Sequence, residues 1–221
     1  MKHIRNFSGV LLLYMFFPGL HAALPMPEIP MYGDPARAAN LKESDKAFIA
    51  SLEQSGKSRQ AVAKDVLRAA WVLYQNLEYG PAMRKFNQAW LLDPENGDAF
   101  HGFAVISLVR DKAIVEAEGF FKQALSKPGV NPNVYVDYGR FLWIGNRLEE
   151  SLAQLHKALE LAPKVHNARS NIALVHYKQR DYAKACEFAR SAKANGDDLQ
   201  PGFLEETVSY THLTLPTNRE V

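Results

Sequence analysis

Histidine and cysteine are the side chains of this chain most able to do chemistry. The sequence holds seven histidines and one cysteine in 221 residues. Metal sites and nucleophile–base pairs need such residues at short, defined spacings, such as H-x-x-x-H, H-E-x-x-H or C-x-x-C. No such spacing occurs, and the histidines between the two termini lie in separate segments, at His101, His156, His166 and His176. We therefore predict no metal site and no cofactor.

Catalytic motifs are also missing. The sequence has no G-x-S-x-G and no glycine-rich phosphate loop. Cys186 lies among apolar helical positions in "YAKACEFARSA", which favours a small buried hydrophobe over a reactive thiol. Glu149 and Glu150 are adjacent carboxylates, but neighbours in a helix point about 100° apart and do not face one another. The chain is predicted to have no catalytic residues and not to be an enzyme.

Composition and charge exclude further classes of function. The chain is 47% hydrophobic and 23% charged, which is ordinary globular composition. The formal net charge is +2, and Lys2 and Arg5 account for the whole surplus. A neutral remainder has no general field to attract nucleic acid or an anionic membrane, so we predict no nucleic-acid partner.

Residues 1–22, "MKHIRNFSGVLLLYMFFPGLHA", have the three-part layout of a secretory signal peptide. Basic residues come first, an apolar run follows over 9–20, and small residues stand at Ala22 and Ala23. The run is shorter than the roughly 20 apolar residues that cross a bilayer. We predict cleavage after Ala22, a periplasmic or secreted mature chain, and no stable membrane insertion after cleavage. The alternative is an uncleaved anchor.

The segment after the signal changes character twice. Residues 23–43 contain four prolines at short intervals, which favours an extended linker. A short helix is predicted over 44–56, with the Ser44 hydroxyl at its N-cap, and Ser58 is expected to cap the next helix.

Four units of about 34 residues follow, at 63–96, 97–131, 132–165 and 166–199. Each unit contains two apolar patterns of helical period, joined by a short polar turn, and Pro94 and Pro163 stop two of the second helices. Small and apolar residues recur in the second helices at i, i+4 and i+7, on one face: Ala82, Phe86, Ala89; Ala117, Phe121, Ala124; Ser151, Leu155, Ala158; Ala185, Ala189, Ala192. Each first helix carries a small residue at the matching contact, at Ala70, Ala104, Gly139 and Ala173.

These positions resemble the tetratricopeptide repeat (TPR), and the resemblance covers residues 63–199. The third unit is most similar, with Tyr135, Tyr138, Gly139, Leu142, Leu155, Ala158 and Pro163. The resemblance implies an all-α fold: a right-handed superhelical stack of about four helix pairs, preceded by one short helix.

The resemblance also implies a binding groove lined by the first helix of each pair. It assigns the following residues to this groove: Trp71, Tyr74, Gln75, Asp98, His101, Asn133, Asp137, Arg140, Trp143, Asn167, Asn171, Tyr177 and Lys178. Tryptophan and tyrosine bury large areas on binding, and asparagine bonds both N–H and C=O groups of an extended backbone. This set is typical of peptide capture. The alternative is that Trp71 and Trp143 belong to the core between repeats.

The C-terminal end breaks the pattern. Residues 200–207 begin a capping helix, which we predict to be truncated. Residues 208–221, "VSYTHLTLPTNREV", resemble in part a translated sequencing adapter and are excluded from the fold prediction; the alternative is a natural tail.

The sequence as a whole predicts an exported TPR scaffold or adaptor that binds a peptide or partner protein through its groove. By analogy with similar exported bacterial proteins, its setting would be an envelope, pilus or secretion assembly. Two alternatives stay open: an accessory subunit of an envelope enzyme, and a structural module that self-associates through the end of the repeat array.

Overall fold

The computed structural model describes residues 26–54 and 56–214, and this part of the chain is all-helical. The ten α-helices are α1 (Glu43–Glu53), α2 (Arg59–Gln75), α3 (Tyr79–Leu92), α4 (Gly97–Val109), α5 (Ile114–Ser126), α6 (Pro132–Ile144), α7 (Leu148–Leu161), α8 (Ala168–Lys178), α9 (Tyr182–Asn195) and α10 (Phe203–Thr214). Short 3₁₀ turns at Met26–Glu28 and Pro30–Gly33 precede them. The predicted signal peptide, 1–22, and residues 215–221 lie outside the described residues.

Helices α2 to α9 form four antiparallel pairs, and each pair packs on the next. The prolines act as predicted, because α3 ends at Leu92 before Pro94 and α7 ends at Leu161 before Pro163. The turn inside each pair places one non-glycine residue in the left-handed region, with φ between 57° and 64°, at Leu77, Lys112, Asn146 and Arg180. This regular stack confirms the predicted fold class.

The repeated small and apolar residues form the core. All twelve members of the second-helix pattern are at most 1% exposed. Gly139 shows why a small residue recurs opposite them, since a Cβ there would lie 2.7 Å from Leu155 Cγ. Ser151 replaces an apolar residue without leaving an unpaired polar group, because its hydroxyl donates to the Gly139 carbonyl oxygen at 2.7 Å. Cys186 is buried, as predicted.

Two helix starts differ in detail from the prediction. Ser58 caps α2 as expected, with its Oγ accepting the Ala61 N–H at 3.2 Å. Ser44 does not cap α1, because the helix already begins at Glu43 and the Asp45 carboxylate accepts the Lys42 N–H at 3.0 Å. The boundary expected at residue 63 falls inside α2, which begins at Arg59.

The prediction of an extended linker over 23–43 was wrong for residues 26–40, which we call the strap. The strap packs against α3 and buries Met31. At its far end Arg37 forms an ion pair with Asp45 of α1 at 2.6 Å. The prolines prevent a continuous α-helix, and the segment instead forms 3₁₀ turns that cover one face of α3.

The C-terminal prediction also needs correction. Helix α10 continues to Thr214, seven residues beyond the expected end at 207 and into the segment excluded from the fold prediction. It packs on α9, buries Phe203, and places the Tyr210 ring 4.7 Å from the Tyr182 ring. Because α10 covers the last repeat, the exposed array end that motivated the self-association alternative is not present within the described residues.

Candidate partner-binding groove

The first helices of all four repeats line one cavity of about 640 Å³. Equivalent positions of stacked first helices point to the same side, so residues far apart in sequence meet there. The lining consists of Trp71, Tyr74, Gln75, His101, Asn131, Asn133, Val136, Asp137, Arg140, His166, Asn167, Asn171 and Asp198. We call this surface the groove.

A second cavity of about 270 Å³ extends the groove toward α10. It shares Arg140, Asn167, Asn171 and Asp198 with the larger cavity. Trp143 and Phe203 contribute apolar surface to its walls. The groove thus continues from α2 to the start of α10.

Nine of the thirteen predicted residues line the larger cavity, and Trp143 lines the smaller one. Three predicted residues line neither. Asp98 lies in the first turn of α4, where its N–H is bonded to Asn96 Oδ1 at 3.0 Å. Tyr177 turns toward α10, with its ring 5.5 Å from Phe203. Lys178 places its ammonium 5.7 Å from the centroid of the Trp143 ring.

An aromatic cluster forms the α2 end of the groove. The Trp71 ring lies 5.1 Å from Phe86, 4.8 Å from His101 and 5.5 Å from Tyr74, measured between centroids. Phe86 is completely buried, whereas Trp71 is only partly covered. Trp71 is therefore both a support of the core and a wall of the groove, so the two interpretations of this residue hold together.

A buried histidine holds the carboxylate in the middle of the groove. His101 is 2% exposed, and its Nε2 lies 2.8 Å from Asp137 Oδ2. The Asp137 side chain keeps 42% of its surface exposed, so it can still accept hydrogen bonds from a ligand. Burial, followed by the charge of Asp137, raises the pKa of Tyr74 to about 12. The Tyr74 hydroxyl is thus a hydrogen-bond donor at neutral pH.

The α8 end of the groove is polar, and the sequence pattern did not identify several of its members. Asn167 accepts the Asp198 N–H at 2.8 Å and donates to Asp198 Oδ2 at 3.1 Å. His166 Nε2 lies 3.2 Å from the same carboxylate. These bonds lower the pKa of Asp198. Asn131, His166 and Asp198 precede helices, outside the first-helix positions used for the prediction; the N-cap preference of Asn131 was the available signal.

No metal cluster is formed within residues 26–54 and 56–214, where no group of three His, Cys, Asp or Glu side chains converges. In the same part of the chain, none of the helices has both the length and the apolarity needed to cross a membrane. What the groove offers a ligand is hydrogen bonding, aromatic surface and a few charges.

Comparison with known proteins places the fold. No family model matches the chain, and no curated protein matches it. Among solved structures, it is similar to Pseudomonas aeruginosa PilF, with a TM-score of 0.62 and 22% identity over 71% of this chain and 72% of that one. PilW, a widely conserved type IV pilus biogenesis factor, gives 0.54 and 16% identity over 79% and 88%. YrrB, a TPR protein with an unusual peptide-binding site, gives 0.52 and 19% identity over 77% and 87%.

The stacked helix pairs and these neighbours define the class: the chain has the TPR fold. Sequence identities of 16% to 22% support the fold alone and do not identify a binding partner for this chain.

Proposed function

We propose that the chain is an exported scaffold or adaptor, without catalytic activity, that binds a peptide or a partner protein in its groove. The observation that carries this proposal is the convergence of side chains from α2, α4, α6 and α8 on one continuous surface. Such a surface spans the length of an extended peptide, with an aromatic cluster at one end and amide groups at the other.

The setting that we propose is a bacterial envelope, pilus or secretion assembly. The signal-like residues 1–22 support export. The structural neighbours include PilF and PilW, of which PilW is described as a type IV pilus biogenesis factor. A third neighbour, YrrB, is described as a TPR protein with an unusual peptide-binding site. Similar folds host different functions, so the assembly itself is tested by experiment.

Capture of partners from a bacterial envelope extract tests the groove. Arg140 is the best single probe, because it is exposed, lines both cavities and forms no ion pair within the described residues. We expect Arg140→Glu to reduce recovery of the specific partner at least tenfold. Arg190→Glu makes the same charge change at an exposed position on α9, outside the groove, and should leave recovery unchanged.

Trp71→Ala and Trp143→Ala extend the same test to the aromatic walls. Trp71→Ala also removes packing against Phe86, so its thermal stability is measured beside its binding. Equal recovery from wild type, Arg140→Glu and Trp143→Ala, with all three chains folded, would refute binding in the groove.

Export is tested by expressing the full chain in a bacterium and sequencing the N-terminus of the mature protein. We expect the first residue to be Ala23, in the periplasmic or secreted fraction. A chain that keeps Met1 and stays with the cytoplasmic fraction would contradict the export proposal while leaving the groove proposal intact.

A further inference from the structure

The outer face of α3 differs from the outer faces of the other second helices. Asn87 is completely buried, whereas Lys122, His156 and Arg190, at the equivalent position of α5, α7 and α9, are all exposed. Leu91, one turn further on, is 5% exposed, and its equivalents in the other three repeats are exposed as well. Among the described residues, the first repeat alone is covered at both positions, and the cover is the strap.

Asn87 binds the strap through its main chain. Its Nδ2 donates one N–H to the Pro27 carbonyl oxygen at 2.9 Å and the other to the Ile29 carbonyl oxygen at 2.8 Å. Residues 26–28 form a 3₁₀ turn and Ile29 follows in the β region, and this local fold brings the carbonyl groups of Pro27 and Ile29 within reach of a single amide. Asn87 therefore recognises a conformation, whatever side chains the segment carries at 27 and 29.

The residue between the two carbonyls supplies the side-chain recognition. The Glu28 carboxylate pairs with Arg84, and Arg110 Nη1 lies 3.8 Å from Glu28 Oε2 while its Nη2 donates to the Glu28 carbonyl oxygen at 2.9 Å. Gly80 leaves room for this carboxylate, because a Cβ at that position would lie 2.5 Å from Glu28 Oε2. An acidic residue at this place therefore pairs with Arg84 and fits a space left by Gly80, while Arg110, which also donates from Nη2 to Asp111 Oδ2 at 2.8 Å, adds a more distant positive charge.

Prolines on both sides complete the ligand pattern. Pro27 and Pro30 have fixed φ angles and no N–H, so they restrict the backbone of the segment and leave no donor unpaired at those two positions. A segment of this kind loses little conformational entropy on docking.

We propose that the outer face of α3 is a recognition site for a Pro-Glu-x-Pro peptide in the turn conformation of residues 26–33, and that the chain fills this site with its own residues 27–30. The site is formed by Gly80, Arg84, Asn87 and Arg110. Three of these residues lie on α3, a second helix, and Arg110 caps the end of α4. None of the four lines the groove, so the site does not depend on the groove having a partner.

Amide hydrogen exchange on the full chain tests the contact in place. We expect Asn87→Ala to speed exchange in residues 26–34 by about tenfold to a hundredfold, because two hydrogen bonds to a buried amide are lost. His156→Ala, at the equivalent exposed position on α7, should leave exchange in the strap unchanged. Unchanged strap exchange in Asn87→Ala would overturn the proposed contact.

Binding in trans tests recognition itself. In a full chain whose residues 27–30 are replaced by Gly-Ser-Gly-Ser, the site is open, and a fluorescent peptide of the sequence MPEIPMYGD should bind saturably. Glutamine in place of the peptide's glutamate, or Asn87→Ala in the opened chain, should weaken binding at least tenfold. The wild-type chain should bind the peptide far more weakly, since its own strap competes at millimolar effective concentration.

Two results would overturn the proposal. One is the absence of saturable binding to an opened chain whose circular dichroism equals that of wild type. The other is binding that Asn87→Ala leaves unchanged, which would assign the peptide to a different surface.

Discussion

The groove and the recognition site that holds the strap, which we call the strap site, lie on different surfaces of the array, and both present asparagine amides. The Asn87 amide of the strap site is buried and bonded to two main-chain carbonyl groups. In the groove, Asn133 is exposed and Asn171 is only 8% exposed, yet neither side chain forms a hydrogen bond with another described residue. The strap covers one surface, and the other surface leaves similar groups without a hydrogen bond to a described residue.

This difference shows what an asparagine does in this fold. In the filled site the two Nδ2 donors of Asn87 bond to the chain itself and stabilise the free protein, whereas its Oδ1 is buried without a hydrogen bond to a described residue. In the groove the Asn133 and Asn171 amides form no hydrogen bond with another described residue, so we expect them to contribute to binding and little to folding. Changes at the two sites should therefore separate stability from binding.

The largest effect on the free energy of unfolding should come from Gly102, a glycine of a first helix. Gly102 on α4 faces the packed interior, where a Cβ would lie 2.3 Å from Phe86, the ring behind Trp71. Gly119 on α5 faces open space, and a Cβ there would have no other side chain within 4 Å. We expect Gly102→Ala to lower the free energy of unfolding by about 3 kcal/mol. Urea denaturation followed by circular dichroism measures it.

Gly119→Ala is the matched control and should act in the opposite direction. It adds a methyl group in a helix interior without a clash, so it should raise the free energy of unfolding by about 0.5–1 kcal/mol. Equal effects of the two substitutions would show that α4 does not approach Phe86 as closely as the structure has it.

The next largest effect should come from Asn87 itself. Asn87→Ala removes two hydrogen bonds at a buried position and frees two strap carbonyl groups to water. We expect the free energy of unfolding to fall by about 2 kcal/mol, measured by the same denaturation. His156→Ala, on the uncovered outer face of α7, should change it by less than about 0.5 kcal/mol. A loss as large in His156→Ala would remove the distinction between covered and uncovered outer faces.

A second carboxylate joins neighbouring repeats further along the array, and its effect should be smaller. Glu118 accepts from Arg147 Nη1 at 2.8 Å and from the Tyr138 hydroxyl at 3.1 Å, and pairs with Lys122. The bond from Arg147, followed by that from Lys122, lowers the pKa of Glu118 from 4.5 to about 2. A carboxyl whose pKa is lowered by folding stabilises the fold above its unfolded pKa, and that contribution disappears as the pH falls from about 5 toward 2.

Glu118→Gln tests this linkage. We expect the variant to lose about 1 kcal/mol of stability at pH 7, since the cluster is partly exposed to water. Its stability should also fall less steeply than that of wild type between pH 5 and pH 2. Parallel pH profiles for the two chains would contradict the assigned role of Glu118.

The sequence predicted the repeat architecture well because the same core contact recurs in every repeat. The pattern at Phe86, Phe121 and Leu155 fixes which face is buried, and Pro94 and Pro163 fix where second helices end. The groove residues inside the first helices were assigned by the resemblance to the tetratricopeptide repeat, and ten of the thirteen line one of the two cavities. Residues beyond those helices, such as His166 and Asp198, were missed because their positions depend on how two repeats join.

The strap and α10 could not be predicted from the repeat pattern. Proline spacing excludes helix but does not say that a segment docks; the available signal was the combination of Gly80, Asn87 and Leu91 on a face that is otherwise polar. Helix α10 extends to Thr214 because no helix breaker occurs before Pro216, and contacts such as that of Tyr210 with Tyr182 hold it on the array. Both segments are single copies, so they leave no periodic trace.

The smallest effect on stability should come from the open groove. Asn133 is exposed in the first turn of α6, and its side chain bonds to no other described residue. Asn133→Ala should therefore change the free energy of unfolding by less than about 0.5 kcal/mol, whereas Asn87→Ala lowers it by about 2 kcal/mol. Recovery of the groove partner should fall in Asn133→Ala and stay at the wild-type level in Asn87→Ala. The reverse assignment, with stability lost at Asn133 and partner recovery lost at Asn87, would mean that the partner docks on the second helices and that the first-helix groove is part of the structural core.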